Sequence, residues 1–153
     1  MKKTILILAI ILIAFTSTIA QKITADKVPA AVKQAFLKKY PKAADAKWEM
    51  EKKEYEVNFK LNGAVMSANF NTKGTWKETE TEIKFDALPQ SVKDAINKAF
   101  ADYKTGEVNK IENPGSETLY EVELSKAKEK IELLFTKDGV IKKRKIESEK
   151  EKD

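Results

Sequence analysis

The sequence predicts an α+β fold: one helix followed by four antiparallel strands, used twice in tandem, with both helices packed on one face of an antiparallel sheet. Three observations point there. The stretch VPAAVKQAFLKKYP, Val28 to Pro41, carries apolar residues at helical spacing, and a second version of it begins at Leu88-Pro89. Each version is followed by runs that alternate apolar and polar residues with a period of two, the mark of strands with one buried face. Turn formers separate those runs, notably Asn62-Gly63, Lys73-Gly74 and Asp138-Gly139.

The first twenty residues stand outside this pattern. Lys2 and Lys3 precede an apolar run from Ile5 to Phe15, and Thr18-Ile19-Ala20 supplies small residues at the third and first positions before a signal-peptidase cut. The segment is shorter than the roughly 20 apolar residues that span a bilayer, and it contains Thr16, Ser17 and Thr18. Residues 1–20 are therefore expected to be a signal peptide cleaved after Ala20, leaving a periplasmic or secreted chain without a transmembrane span. With no cysteine in the sequence, neither a lipid anchor at the cut nor a disulfide framework is expected. Losing Lys2 and Lys3 lowers the formal charge from +5 to +3, the 29 basic residues less two against 24 acidic ones. That surplus is small, and Arg144 is the sole arginine, so nucleic acid is not expected as a partner.

In the mature chain, Asp26 is expected to cap the first helix and Pro29 to lie in its first turn. Val28, Val32, Ala35, Phe36 and Tyr40 form one apolar stripe, and Pro41 stops the helix. Ala46, Trp48 and Met50 then alternate with Lys47, Glu49 and Glu51 as a first strand. After Lys52-Lys53, Tyr55, Val57, Phe59 and Leu61 alternate with Glu54, Glu56, Asn58 and Lys60, the clearest strand of the chain. Asn62-Gly63 suits a type I′ hairpin, and Met66, Ala68 and Phe70 make the buried face of the returning strand. The fourth strand, Thr75 to Ile83, begins with Trp76 but is polar through Thr81, which predicts an exposed or edge strand.

The second version sets Pro89, Val92, Lys93, Ala95, Ile96 and Phe100 sixty residues after Pro29, Val32, Lys33, Ala35, Phe36 and Tyr40. From the second strand onward the offset is sixty-five, matching Tyr120-Glu121-Val122 to Tyr55-Glu56-Val57, Phe135 to Phe70, Gly139 to Gly74 and Ile141 to Trp76. The five extra residues are expected in the turn Asn113-Pro114-Gly115-Ser116. Without a proline after its last aromatic, the second helix is expected to run on through Asp102-Tyr103 to a stop near Gly106. The units are thus residues 21–83 and 84–147, with 148–153 a disordered charged tail. A unit of about sixty residues is marginal alone. With so short a connector the two are expected to join edge to edge, burying the Tyr55 and Tyr120 series under the helices and leaving the opposite face open to water.

Absence of histidine and cysteine removes the commonest general base, zinc ligands and thiol nucleophile. No phosphate loop or calcium loop is present, so no cofactor is expected. Glu54 with Glu56, and Glu121 with Glu123, project from common strand faces, but alternation sets them opposite the apolar side, where a solvated face is the expectation. The run Lys142-Lys143-Arg144-Lys145 reads as charged protection of an edge strand, and Trp48 and Trp76 read as core.

Leu88-Pro89-x-x-Val92-x-x-Ala95, Tyr40-Pro41, the two Tyr-Glu-Val triplets and the two Phe-x-x-x-Gly turns together resemble the PepSY-like family, also described as beta-lactamase-inhibitor-like, over nearly all of the mature chain. That resemblance implies an exported bacterial protein with tandem helix-plus-sheet units, fold-related to an inhibitor that grips its target enzyme with a sheet face. The expected function is a non-enzymatic binding module. Its open face, carrying Glu54, Glu56, Asn58, Lys60, Ser67, Asn69, Glu121 and Glu123, would contact a protein or cell-envelope component. A glycan-acting enzyme using paired carboxylates, or a structural envelope protein without a dedicated ligand, are the alternatives.

Overall fold

The computed structural model describes residues 21–51 and 53–148, so the expected signal peptide and residues 149–153 of the expected tail lie outside the described residues, while Ser148, expected to begin that tail, is instead the last residue of a strand. Nine strands form one sheet in chain order, every neighbouring pair antiparallel. They are β1 (Gln21–Ile23), β2 (Ala44–Glu51), β3 (Glu54–Leu61), β4 (Ala64–Asn71), β5 (Trp76–Glu82), β6 (Lys104–Glu112), β7 (Thr118–Lys126), β8 (Glu129–Thr136) and β9 (Ile141–Ser148). Helix α1 (Ala30–Lys39) connects β1 to β2, and α2 (Gln90–Ala99) connects β5 to β6.

Both helices begin directly after a proline. Pro29 and Pro89 are the N-caps, and neither helix start is closed by a side chain. Asp26 is therefore not the cap; it sits in a preceding 3-10 turn, Ala25–Lys27, which has a counterpart at Phe85–Ala87. Both helices also end alike. The N–H of Tyr40 bonds to Phe36 and that of Phe100 to Ile96, and each aromatic carbonyl then accepts from the residue three further on, Ala43 or Tyr103. The second helix thus stops at Ala99 rather than running toward Gly106, which lies in β6. Burial of Phe100 in the core turns the chain without a proline.

Helix α1 covers a core of Val28, Val32, Phe36, Tyr40, Trp48, Tyr55, Val57, Phe59, Ala68 and Phe70. Helix α2 covers Leu88, Val92, Ile96, Phe100, Val108, Val122, Leu124, Ile131, Leu133 and Phe135. Turns pin both helices to the sheet. Gly74 and Gly139 adopt φ of +78° and +80°, and a Cβ on either would fall 2.5 Å from a first-turn helix carbonyl, that of Ala31 or Ser91. Glycine is needed there for both reasons.

Positive φ at Asn62 and Gly63 bears out the type I′ hairpin between β3 and β4. The five extra residues lengthen the β6–β7 hairpin, one each in β6 and β7 as the added pair Glu112 and Thr118 and three in the loop, where Gly115 N–H bonds to the Asn113 side chain at 3.0 Å. Two strand expectations need correction. Ala46 is exposed, because a bulge between Ala44 and Lys47, with Asp45 at φ +58°, interrupts the alternation. Strand β5 is interior, paired with β4 on one side and β6 on the other. A bulge between Asn69 and Phe70, opposite Trp76 to Glu78, puts Trp76 and Thr79 on the helix side although they are three apart. Thr79 is buried, accepting from Trp76 Nε1 at 2.9 Å and sharing a short hydrogen bond with the Tyr40 hydroxyl. Trp48 is buried as expected, and Trp76 packs beside the core under the Lys39 ammonium, 3.5 Å above its ring.

Candidate functional site

The sheet face away from the helices gathers every residue expected to form a binding surface. Register pairs Glu54 with Asn71, Glu56 with Asn69, Asn58 with Ser67 and Lys60 with Val65, while Glu121 and Glu123 face Leu134 and Glu132. These residues alternate with the buried Tyr55, Val57, Phe59, Val122 and Leu124, which fixes their side. They form two groups, because β5 and β6 lie between β4 and β7. Within them, Asn58 Nδ2 donates to Glu56 Oε1 at 3.2 Å, Lys60 pairs with Asp45 at 3.3 Å, and Lys130 with Glu123 at 2.7 Å.

The centre of the face was not expected. Glu78 and Glu80 project from β5 between the two groups, Glu78 opposite Asn69 and Glu80 between Ser67 and Ile111. With Ile111, Glu121, Glu132, Leu134, Lys143 and Lys145 they line a depression of about 180 Å³. Burial, reinforced by the negative charges of Glu121, Glu78, Glu56 and Glu107, pushes the Glu80 carboxyl up to about 7. Burial also raises Glu121, helped by Glu132, Glu107 and Glu78 and opposed by Lys143. Asn69 Nδ2 donates to Glu78 Oε1 at 3.2 Å, Asn109 Nδ2 to Glu107 Oε1 at 2.9 Å, and Lys145 pairs with Glu132 at 3.1 Å. The depression therefore offers carboxylates, one carboxyl able to hold a proton near neutrality, and a lysine rim on β9.

Glu56 and Glu121, named from opposite halves of the sequence, are thus brought to bear on one central carboxyl. Glu54 is exposed at a strand end and takes no part in the depression. Glu78 and Glu80 carried a signal, the alternation Glu78, Glu80, Glu82, but the bulge beside Trp76 hid which face it occupied. Among the described residues no group of His, Cys, Asp or Glu is arranged to hold a metal ion. No helix among them is long and apolar enough to cross a membrane.

No curated protein matches this sequence. Several solved structures do. One from Bacteroides eggerthii, described as "putative periplasmic proteins", has a TM-score of 0.74 at 25% identity and covers 78% of this chain and 88% of its own. A DUF2874 family protein from Bacteroides ovatus has a TM-score of 0.72 at 27% identity, covering 77% and 86%. A BLIP-like protein from Bacteroides fragilis has a TM-score of 0.69 at 25% identity, covering 82% and 90%. The family described as "Putative beta-lactamase-inhibitor-like, PepSY-like" matches in two overlapping segments, residues 15–66 and 53–143. Those segments run through both helices and into β9, and the chain belongs to the PepSY-like, beta-lactamase-inhibitor-like family.

Proposed function

We propose that this chain is an exported, non-enzymatic binding module, built from two copies of one helix-plus-four-strand unit, whose open sheet face contacts a protein or another component of the cell envelope. The observation that carries the reading is the division of the sheet. Both helices cover one face, and the other presents polar side chains on β3 and β4, carboxylates at β5 to β7 and lysines on β9. A broad face of mixed charge with a shallow central depression suits a protein surface better than a small molecule, which usually takes a deeper apolar pocket. Resemblance to a BLIP-like protein supports a non-enzymatic reading, and resemblance to a chain described as periplasmic supports the compartment.

The test is recovery of partners from the native envelope by the mature protein, followed by affinity measurements on E56W/N58W. Loss of affinity for the recovered partner is expected. Unaltered affinity in a folded variant would show that the face is not used.

A second reading rests on Glu80. An acid–base enzyme needs one carboxyl held protonated near neutrality beside another that ionises, and Glu80 with Glu121 or Glu78 meets the first condition. Turnover of glycans that collapses in Glu80→Gln would replace the binding-module reading with this one.

A further inference from the structure

We propose that the outer edge of β9 is a strand-binding site, which takes an extended, acidic segment of a partner protein by adding it to the sheet. This site is the backbone edge of β9, which borders the open face and shares Lys143 and Lys145 with its depression. In a sheet ordered β1 to β9, the terminal strands each leave one edge unpaired by any described strand. β1 is three residues long and covers Trp48 to Met50 of β2, whereas β9 is eight residues long.

The molecule shows what such an edge does. β5 is the sequence counterpart of β9, with Trp76, Thr79 and Thr81 sixty-five residues before Ile141, Arg144 and Ile146. Both strands carry a bulge at the same place, opposite Asn69/Phe70 and Leu134/Phe135. The outer edge of β5, Thr79 to Glu82, pairs antiparallel with Glu112 to Asn109 of β6. The matching run of β9, Arg144 to Glu147, has the strand β8 on one side and no described strand on the other.

Side chains along that edge favour one class of occupant. Ile141 and Ile146 lie on the helix side, in register with Phe135 and Ile131, yet remain 42% and 56% exposed. An incoming strand would cover them with every second residue. Lys143 and Lys145 lie on the open side, in register with Leu134 and Glu132. The internal partners of this basic run include surface ion pairs, Lys142 with Glu117, Arg144 with Glu129 and Lys145 with Glu132. Such pairs are worth little each and are readily re-partnered. A second copy of β9 would set basic residues against basic residues across the new ladder, which is unfavourable. The charge that keeps copies apart thus selects a strand that alternates carboxylates with apolar residues.

The probe is a synthetic peptide alternating Glu and Val with Thr at both ends, compared with the same peptide carrying Lys for Glu. Amide hydrogen exchange of the mature protein should slow at alternate residues of β9 with the Glu peptide, less so in high salt, and not with the Lys peptide. K143E/K145E should weaken the Glu peptide about tenfold, the effect of two exposed charges reversed, and admit the Lys peptide. The proposal fails if millimolar Glu peptide leaves β9 exchange unchanged, if both peptides bind equally, or if protection falls on the open face instead. It also fails if sedimentation shows the protein alone to be a dimer with β9 already protected.

Discussion

The two halves of the sheet solve one packing problem with different side chains. Under α1 the core is aromatic: Phe36, Tyr40, Trp48, Phe59 and Phe70, with Phe36 edge-on to Trp48 at 5.4 Å and to Phe59 at 5.1 Å. Under α2 the corresponding positions are Ile96, Phe100, Val108, Leu124 and Phe135. Volume is redistributed within each core: Trp48 and Ala68, on either side of Val57, have Val108 and Leu133 as their counterparts on either side of Val122. The polar detail changes too. Tyr40 hydrogen-bonds Thr79, whereas Phe100 has the Arg144 guanidinium 5.8 Å from its ring centre. What stays fixed is the backbone: helix starts at a proline, a bulge in β2 and in β6, a bulge in β5 and in β9, and a glycine turn against each helix. The fold is therefore specified by positions and turn geometry, while residue identity is free wherever summed volume is kept.

The strongest challenge to that view is at the glycines. Gly74→Ala and Gly139→Ala each place a Cβ against a helix carbonyl in a left-handed backbone conformation, and each is expected to cost about 3 kcal/mol from strain plus overpacking. Denaturant titration of both variants would break the equivalence of the halves if one were neutral.

A smaller effect is expected at the join. The native Glu80 carboxyl sits at about 7, above the unfolded value near 4.5. The folded state therefore binds the proton more tightly, and stability falls as pH rises from about 4.5 to 7, then levels off. Glu80→Gln should match the parent near pH 4 and exceed it at pH 8 by about 1–2 kcal/mol, a figure discounted for partial solvent screening. Parallel stability curves across that range would show that the join carries no such strain.

The smallest effect separates the cores themselves. Tyr40→Phe makes the first core resemble the second and removes the bond to Thr79, which keeps its contact with Trp76. A loss of about 1 kcal/mol is expected in the same titration, whereas Phe100→Tyr, with no threonine partner, should gain nothing.

Most of this architecture is legible in the sequence because its signals are local. Helix stripes and the Asn62-Gly63 turn follow from adjacent residues, and the turn at Asn113 to Ser116 from its Asn, Pro and Gly. What escaped was set by parity and by distant neighbours. A single bulged residue reverses the facing of everything beyond it, so alternation alone sets Ala46 on the wrong face, leaves the facing of Thr79 open and makes the polar β5 resemble an edge. The short β1 is matched sixty residues on by the end of β5, Gln21 and Lys22 opposite Met50 and Glu49 as Thr81 and Glu82 are opposite Lys110 and Asn109, a pairing between strands that no local pattern announces. Glu54, Glu56, Asn58, Lys60, Ser67 and Asn69 share one face because the hairpin turn fixes their register. Of the carboxylates at the centre, Glu121 is legible from its alternation, whereas the role of Glu80 is not, because its raised proton affinity comes from strands far apart in sequence.

Site-specific photo-crosslinking in the native host tests the central claim most directly, with the label placed in turn at Asn58, Ser67 and Leu37. Asn58 and Ser67 are opposite each other on the open face, and Leu37 is an exposed apolar residue on α1. The account predicts a shared adduct from Asn58 and Ser67 and none from Leu37. An adduct from Leu37 alone, or equal labelling at all three, would contradict it.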